Sequence, residues 1–336
     1  MTPKALYWRS LEDDKKVQCD LCPQACVVKP GKRGTCKNRG NVDGILSPLI
    51  YGKVAAVHMD PIEKKPLYHF CPGSQILSVG FIGCNFHCPF CQNYSLVEGD
   101  AYLENIDIDD LVKMAVKKKS VGISFTYNEP LVNFEWVLEC AKAFRKAGMR
   151  TTVVTNGYLN PEPFADLVEY IEAFNIDLKY STDENYRKYS GAKKPEAIKD
   201  NIKLAHEKAH VEVTHLLVTG INDNEASFTG LVEQVAEISP DIPLHISRYH
   251  PMYKYREPAT PLDFMEKAHK IAAERLRHVY LGNVSSDTGA SSYCRHCGAV
   301  LVERSGYSTR VTGLDEKGVC AKCGGENNFV YPCDKS

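Results

Sequence analysis

The feature that most constrains this chain is the arrangement of its cysteines. Its 336 residues contain 14 cysteines, most of which are clustered. Disulfides do not persist in a reducing cytosol, so clustered thiols in an intracellular chain usually hold metal. The sequence therefore predicts three metal sites, and the remaining Cys71, Cys140 and Cys333 are interpreted as isolated, buried thiols. The three groups are Cys19, Cys22, Cys26 and Cys36; Cys84, Cys88 and Cys91; and Cys294, Cys297, Cys320 and Cys323.

Composition narrows the class of protein further. The chain has 41 Lys and Arg residues against 42 Asp and Glu residues, so its formal net charge is −1. This balance argues against non-specific nucleic-acid binding and against a polybasic membrane anchor. Hydrophobic residues make up 43% of the chain, which is enough to bury a core. Because there is no bilayer-length apolar run and no apolar secretory signal, we expect a cytoplasmic protein without membrane contact.

Apolar runs of strand length recur from residue 76 onward. They are rich in Val, Ile and aromatic residues, as is typical of strands buried on both faces. Segments with helical spacing lie between them, and the helix predicted at 261–276 has Thr260 as its expected N-cap. This alternation predicts an α/β fold with a parallel sheet, either open or closed into a partial barrel. The predicted strands are 76–83, 121–127, 150–157, 173–179, 211–220, 243–249 and 278–284.

The chain is expected to have three parts. Residues 1–74 are rich in Gly, Pro, Lys and Cys without sustained periodicity, which predicts an irregular lobe organised by metal. Residues 75–285 are predicted to form the α/β unit. A polar linker then leads to a cysteine-bearing module at 286–336.

The spacing of Cys84, Cys88 and Cys91 indicates a catalytic metal site. On one short loop, each thiolate can bind a different iron of a [4Fe-4S] cluster, and the fourth iron is left without a protein ligand. An open coordination position is typical of catalytic sites, whereas a closed four-cysteine site serves structure or electron transfer. The alternative is a three-thiol zinc site completed by His87.

The two flanking cysteine groups have different spacings. The four cysteines between 294 and 323 form two paired knuckles, which predicts a zinc ribbon, with an iron–sulfur site as the alternative. The irregular spacing of the four cysteines between 19 and 36 suits either a zinc knuckle or an auxiliary [4Fe-4S] cluster. Zinc is the favoured interpretation for both.

The central loop, CNFHCPFC at 84–91, resembles the signature of the radical S-adenosylmethionine (SAM) superfamily. The resemblance implies a partial (β/α)6 barrel and a [4Fe-4S] cluster whose open iron is chelated by SAM. In that superfamily the reduced cluster cleaves SAM to methionine and a 5′-deoxyadenosyl radical, which abstracts hydrogen from substrate. The resemblance therefore predicts a radical SAM oxidoreductase.

The ends of the other predicted strands resemble glycyl-radical-enzyme activases, such as the pyruvate formate-lyase activase. The motifs are TYNEP at 126–130, TNG at 155–157 and DLK at 177–179. The resemblance implies that Lys179 pairs with the SAM carboxylate and that His245 contacts SAM from the end of its strand. The implied SAM-binding residues are Asn128, Glu129, Asn156, Asp177, Lys179, His245 and Asn283.

A narrower likeness covers nearly the whole chain. CDLCPQAC at 19–26, DPIEKKPLYHF at 60–70 and PLHISRYHP at 243–251 resemble the radical SAM protein of the AmmeMemoRadiSam three-gene system. The likeness implies Memo-like and AMMECR-like partner proteins, a ferredoxin or flavodoxin as reductant, and residues 60–70 over the cluster or substrate mouth. The substrate is left open between a glycyl-radical-type protein and a small molecule.

Two other classes of function are kept beside the enzyme. One is a non-catalytic, metal-scaffolded module that binds protein or nucleic acid through the four-cysteine groups. The other is a ferredoxin-like electron carrier, which the missing fourth cysteine of the central loop disfavours.

Overall fold

The centre of the computed structural model is an eight-stranded sheet. The structure describes residues 4–12, 14–98, 101–284 and 289–333. The strands are β1 (Trp8–Ser10), β2 (Val17–Cys19), β3 (Val27–Val28), β4 (Arg39–Val42), β5 (Ile45–Pro48), β6 (Lys53–Val54), β7 (Ala56–Pro61), β8 (Gln75–Gly80), β9 (Glu104–Asn105), β10 (Gly122–Thr126), β11 (Arg150–Thr155), β12 (Ala173–Asp177), β13 (His210–Leu217), β14 (Leu244–Arg248), β15 (Val279–Gly282), β16 (Ser292–Tyr293), β17 (Val300–Ser305) and β18 (Ser308–Val311). The α-helices are α1 (Tyr94–Glu98), α2 (Ile108–Lys117), α3 (Phe134–Lys146), α4 (Pro161–Val168), α5 (Asp183–Asn185), α6 (Glu196–Lys208), α7 (Glu225–Ile238) and α8 (Leu262–Ala273).

The central sheet is open and mostly parallel. Its strand order is β15-β14-β13-β12-β11-β10-β8-β7, and every neighbouring pair is parallel except β7 with β8. The parallel members are the seven predicted strands, so those predictions are confirmed. β8, β10 and β12 are buried along nearly their whole length, as strands covered on both faces must be. The carboxyl ends of all seven strands therefore meet at one edge of the sheet.

Each of the longer helices buries an apolar face. In α3, Phe134, Val137 and Phe144 are fully buried at the predicted three- and four-residue spacing. The prediction that Thr260 is the N-cap of the last helix is wrong. α8 begins at Leu262, and the Thr260 hydroxyl instead donates to the Leu217 carbonyl at 2.6 Å. Thr260 thus ties the loop before α8 to the end of β13.

The N-terminal region contributes to the central sheet as well as forming its own small sheets. β1, β2 and β3 form one antiparallel sheet, and β4 pairs with β5. β7, however, lies along β8 from Ala56 to Pro61. The sheet therefore starts before the predicted boundary between residues 74 and 75. β7 is an edge strand and is largely half-buried, so it lacks the apolar run by which the other strands were found.

The C-terminal strands β16, β17 and β18 form a separate antiparallel sheet. The chain beyond it returns to the segment that precedes β8. There the Val330 N–H donates to the His69 carbonyl at 2.8 Å, and the Cys71 N–H donates to the Val330 carbonyl at 3.0 Å. This pairing brings the Cα atoms of Cys71 and Cys333 to 5.3 Å, and the two form a disulfide. The interpretation of these two cysteines as isolated thiols was therefore wrong.

Two further observations concern the limits of the chain's parts. The predicted boundary between residues 285 and 286 lies outside the described residues. In the part of the chain that is described, no helix combines the length and the apolar character needed to cross a membrane.

Candidate active site

The loop that follows β8 carries Cys84, Cys88 and Cys91. The Phe86 N–H donates to Cys84 Sγ at 3.3 Å, and Cys88 Sγ lies 3.3 Å from Ser190 Oγ. Burial raises the pKa of all three thiols. Their thiolate forms therefore need a bound cation.

The spacing of these thiols favours a cluster over a single ion. Thiolates on one tetrahedral zinc ion stand about 3.8 Å apart, since each Zn–S bond is about 2.3 Å. Among the described residues, no group that includes these three sulfurs has all its ligand atoms within 4.8 Å of one another. His87, the expected fourth ligand of the zinc alternative, is exposed. The arrangement fits thiolates bound to separate iron atoms.

Gly83 allows the N-terminal region to contact this loop directly. Its φ is +80°, and a Cβ there would lie 2.3 Å from the carbonyl oxygen of Cys36. Its N–H donates to the Leu96 carbonyl at 3.0 Å, which anchors the loop to α1. A side chain at this position would separate the two cysteine-bearing segments.

The turn after β10 is fastened to the same loop by Asn128. The Asn128 amide oxygen accepts from the Phe81 N–H at 3.0 Å, and its nitrogen donates to the carbonyls of Ile82 and Gly83 at 3.0 and 2.9 Å. Tyr127 has φ +75°, a left-handed conformation that favours glycine. The amide of Asn128 is thus used to hold the cysteine loop in place.

Glu129 joins the ends of β10 and β11. Its carboxylate accepts from the Leu131 N–H at 3.0 Å, the Thr155 hydroxyl at 2.7 Å and the Asn156 N–H at 2.7 Å. Burial raises the pKa of Glu129 to about 7. The carboxyl group therefore titrates near neutral pH, where a nearby cation would favour its ionised form.

Asn156 connects β11 to the cysteine loop. Its amide nitrogen donates to Asn85 Oδ1 at 2.8 Å and lies 3.9 Å from Cys84 Sγ. Asn85 in turn donates to the Tyr158 carbonyl at 3.0 Å. The conformation of the loop at Cys84 is therefore set by a buried chain of amide hydrogen bonds.

Lys179 and Asp177 form an ion pair just after β12. Lys179 Nζ lies 2.7 Å from Asp177 Oδ2. Burial opposes the charge on Lys179, but the Asp177 carboxylate raises its pKa above the usual value. The ammonium group therefore stays charged and can attract an anionic group of a ligand.

The structure places His245 near the start of β14, not at its end as predicted. The strand continues because Ser247 still pairs with β13 and β15. His245 Nε2 lies 2.6 Å from Glu212 Oε2, and its ring stacks on Tyr280 at 5.2 Å. His245 is thus held rigidly within the sheet.

Glu212 is a residue that the sequence analysis missed. It is fully buried, and it accepts from the His69 N–H at 2.8 Å and lies 3.1 Å from His210 Nε2. Burial opposes its charge, but hydrogen bonds with His210 and His245 hold the pKa of Glu212 well below its usual value. A carboxylate within the apolar run predicted at 211–220 was the signal that could have identified it.

Asn283 follows β15 with φ +58°, and its amide nitrogen donates to the Arg248 carbonyl at 3.2 Å. Gly282 precedes it, where a Cβ would lie only 3.1 Å from Ser247 Oγ. The backbone at the end of β15 therefore closes tightly on β14.

One cavity of about 620 Å³ brings together most of the residues predicted to bind the central cluster and SAM. A cavity of this size can enclose a ligand as large as SAM. Cys88 is not among the lining residues, although Phe86 and Phe90 of the same loop are. The predicted residues that line the cavity are Cys84, Cys91, Asn128, Glu129, Asn156, Asp177, Lys179, His245 and Asn283.

Two other segments complete the cavity wall. Lys64, Lys65 and Tyr68 line it, in line with the expectation that residues 60–70 cover the site. Tyr307, at the turn between β17 and β18, also lines it and was not predicted. The C-terminal module therefore forms part of this cavity.

A buried charge cluster lies at the 60–70 side of the cavity. Lys65 Nζ lies 2.6 Å from Asp60 Oδ2 and 4.5 Å from the ring centre of Tyr127, whose hydroxyl also donates to Asp60. Burial lowers the pKa of Lys65 to about 8, although Asp60 acts to raise it. Burial opposes the ionisation of Asp60, but hydrogen bonds from Lys65, Tyr127 and Lys64 lower its pKa.

The C-terminal cysteines form a compact group that can hold a metal ion. Cys294 Sγ lies 3.6 Å from Cys323 Sγ, and Cys297 Sγ lies 3.7 Å from Cys320 Sγ. All four sulfurs lie within 4.8 Å of one another. The N-terminal cysteines, in contrast, surround a small cavity beside the central loop.

Comparison with known proteins gives the family. The sequence profile of the radical SAM superfamily matches residues 79–235, which include the cysteine loop and β10 to β13. The chain belongs to the radical SAM superfamily. It is therefore an enzyme of the radical SAM class, and the interpretation as a non-catalytic binding module is not supported.

Two relatives show how far the similarity extends. An uncharacterized protein of Methanocaldococcus jannaschii is 38% identical over 335 residues, covering 97% of this chain and 99% of that protein. The pyruvate formate-lyase 1-activating enzyme of Escherichia coli K12 is 24% identical over 220 residues, covering 62% of this chain and 89% of that enzyme. This radical SAM protein is thus related to the glycyl-radical activases.

A solved structure shares the fold. The radical SAM methyltransferase from Sphaerobacter thermophilus matches with a TM-score of 0.50 and 12% identity, covering 89% of this chain and 82% of that one. The likeness supports the α/β architecture of this protein.

Proposed function

We propose that this protein reductively cleaves SAM at a [4Fe-4S] cluster held by Cys84, Cys88 and Cys91, and that it abstracts hydrogen from a substrate. The observation that carries the proposal is the loop of three thiols, not spaced for a single ion, at the wall of a cavity large enough for SAM. When bound, the cluster would supply the electron for the reductive cleavage of SAM.

The chain's own residues bind and orient the cofactor in this proposal. The charged Lys179 attracts the carboxylate of SAM, and Asp177 keeps its ammonium in place. The Glu129 carboxylate lies at the cavity wall, where it accepts a hydrogen bond from the amino group. His245 and Asn283 contact the adenosine part of the ligand from the side of β14 and β15.

Asn128 and Asn156 hold the thiolates rather than the ligand. The Asn128 amide is fully engaged with the backbone at residues 81–83, and the Asn156 side chain reaches both Asn85 and Cys84 Sγ. Both residues therefore fix the direction in which the thiolates project.

We propose a glycyl-radical-type partner protein as the substrate and a ferredoxin or flavodoxin as the electron donor. The similarity to an enzyme that activates pyruvate formate-lyase supports both assignments. The narrower likeness to the AmmeMemoRadiSam system supports Memo-like and AMMECR-like proteins as further partners. A small-molecule substrate remains the alternative, since fold and motifs do not name the hydrogen donor.

We propose that the C-terminal group binds a structural zinc ion. Its closest sulfur–sulfur distances of 3.6 and 3.7 Å are near the roughly 3.8 Å expected for thiolates on one tetrahedral zinc. The proposed parts are residues 1–74, 75–285 and 286–336, with β7 of the first part added to the sheet of the second. The C-terminal part then serves as a zinc ribbon that supplies Tyr307 to the cavity wall.

The test is SAM cleavage by the purified protein. Anaerobically reconstituted protein given dithionite, SAM and the candidate substrate should release 5′-deoxyadenosine. Replacing Cys84, Cys88 or Cys91 with Ala should abolish the release, while Cys140→Ala, at a buried cysteine of α3, should retain it. A wild-type protein that binds an intact cluster and SAM but releases none would contradict the proposed reaction.

A further inference from the structure

The four N-terminal cysteines surround a cavity of their own. Cys19 ends β2, Cys22 and Cys26 lie in the turn that leads to β3, and Cys36 precedes β4. All four line one small cavity, together with Arg39 and apolar side chains. This enclosure is separate from the cavity proposed for SAM.

The sulfurs of these cysteines stand farther apart than the sulfurs of a zinc site, as do the sulfurs of the central loop. Only the C-terminal cysteines, of all the described residues, gather three or more ligand atoms within 4.8 Å of one another. Four thiolates on one zinc ion require such close spacing. Thiolates that bind four different iron atoms stand farther apart around the cluster.

Arg39 adds a buried cation to the same enclosure. The residue is 1% exposed, and its Nη1 lies 3.0 Å from the Glu135 carboxylate. Its Nη2 donates to the Leu6 carbonyl, and within the described residues its Nε has no hydrogen-bond partner. Glu135 balances the charge of Arg39, but a buried N–H group without an acceptor is still costly. A thiolate-ligated iron–sulfur cluster would supply both negative charge and sulfur acceptors.

Backbone N–H groups also point at the sulfurs. The Thr35 N–H donates to Cys26 Sγ at 3.5 Å. Hydrogen bonds to cluster sulfurs are one of the means by which a protein sets a cluster's reduction potential. The other three cysteines likewise receive backbone hydrogen bonds, from Leu21 to Cys19, from Gln24 to Cys22 and from Asn38 and Arg39 to Cys36.

The N-terminal enclosure abuts the central loop at Asn85. Asn85 lines the enclosure, while its side chain accepts from Asn156, whose amide reaches Cys84 Sγ. Gln24 Nε2 donates to the Asn85 carbonyl at 3.1 Å. With Gly83 against the Cys36 carbonyl, the two cysteine-bearing segments are in direct contact.

We propose that Cys19, Cys22, Cys26 and Cys36 hold a second [4Fe-4S] cluster that passes electrons to the central cluster. The inference rests on the proposed function and replaces the zinc expected from spacing. One electron from a low-potential donor of the ferredoxin or flavodoxin class reduces the N-terminal cluster. The N-terminal cluster then passes this electron to the central cluster, so the N-terminal cluster is reoxidised and the central cluster is reduced.

The first test is the metal content of the full chain purified without oxygen. The proposal predicts iron and sulfide for two cubane clusters and one zinc ion. A triple variant should lose half of the iron when it combines Cys84→Ala, Cys88→Ala and Cys91→Ala. A double variant with Cys19→Ser and Cys22→Ser should lose the other half. Cys140→Ala is the matched control and should keep all of it.

The second test concerns electron transfer between the clusters. In the dithionite-reduced wild-type protein, neighbouring paramagnetic clusters should broaden or split each other's electron paramagnetic resonance signals. Either set of cysteine substitutions should leave the simple spectrum of one cluster. Two magnetically independent clusters would overturn the electron-transfer role.

The assignment of a second cluster would be overturned if the wild-type protein contained iron for one cluster and two zinc ions. That result needs no variant, so misfolding of the cysteine variants does not decide the outcome. It is also independent of the proposed function, because SAM cleavage by a single cluster would then persist. Two clusters without SAM cleavage would instead contradict the proposed function and leave this assignment standing.

Discussion

Three asparagines govern the residue-scale geometry of the cysteine loop. The side chains of Asn85, Asn128 and Asn156 all bond within the protein, each through an oxygen that accepts and a nitrogen that donates. An amide can satisfy both kinds of backbone group at once, which a carboxylate or an alkyl group cannot. These residues follow from sequence motifs, but their roles as positioning residues do not, because a motif does not show which neighbours an amide reaches.

Replacing Asn128 with Asp should weaken the loop. The carboxylate would face the carbonyl oxygens of Ile82 and Gly83, which now accept from the amide nitrogen. We expect a loss of about 1–3 kcal/mol in unfolding free energy, with poorer cluster retention. Urea unfolding and iron analysis measure both, and Asn105→Asp, at an exposed site in β9, is the control. Unchanged stability together with full iron content would contradict the role given to Asn128.

Lys65 should titrate well below an ordinary lysine. Burial lowers its pKa to about 8 from 10.5, and Asp60 limits the decrease. The fold thus favours the neutral amine, so this group's contribution to unfolding free energy should rise with pH between 8 and 10.5. Nuclear magnetic resonance of isotopically methylated lysines measures the pKa. Asp60→Asn should lower it further, and an increase in that variant would refute the proposed balance.

Among the secondary-structure elements, the sequence predicted those strands that contain an apolar run. The seven parallel strands are mostly buried, so each lies in a segment rich in apolar residues. β7 was missed because a half-buried edge strand lacks that signal. Thr260 was misassigned because its best partner, the Leu217 carbonyl, is supplied by tertiary structure and not by the helix that follows.

The β17–β18 hairpin should be held against the cavity by Arg304. Its guanidinium donates to the Tyr68 carbonyl at 2.6 Å and to Ser292 Oγ at 2.8 Å, and it lies 4.2 Å from the Tyr68 ring centre. Arg304→Met should lower the free energy of unfolding by about 1–3 kcal/mol, because it leaves buried hydrogen-bond acceptors unpaired. Hydrogen exchange should increase over residues 292–311 and not in β10 to β12. Arg310→Met, at an exposed site on the same hairpin, should change neither the free energy of unfolding nor the hydrogen exchange of these residues.

At the scale of the whole molecule, the C-terminal part completes a cavity built mainly by the sheet. His69 stacks on Phe329 at 3.9 Å and approaches the Asn327 carbonyl, while the tail pairs with residues 69–71. Such contacts join segments that are 262 residues apart at the Cys71–Cys333 disulfide. No local pattern encodes them, which is why the module was predicted as a separate addition.

Removing the zinc ion that we propose for the C-terminal cysteines should loosen the C-terminal part and leave the central sheet unchanged. A short segment with four thiolates obtains much of its folding free energy from the metal. A zinc-selective chelator should therefore increase hydrogen exchange in β16 to β18 and at the cavity wall near Tyr307, while β8 and β10 to β12 stay protected. A zinc ribbon that forms part of the site would be contradicted by either of two results. One is an equal increase in hydrogen exchange throughout the chain, and the other is no increase anywhere after the zinc has been removed.

The central claim is that one iron of the central cluster is left for SAM to occupy. The most direct measurement is electron–nuclear double resonance on the reduced holoenzyme with SAM isotopically labelled at its amino nitrogen. We predict a hyperfine coupling from that nitrogen, which disappears when Cys84, Cys88 and Cys91 are replaced with Ala. A cluster spectrum that shows no coupling and does not change on adding saturating SAM would contradict the claim.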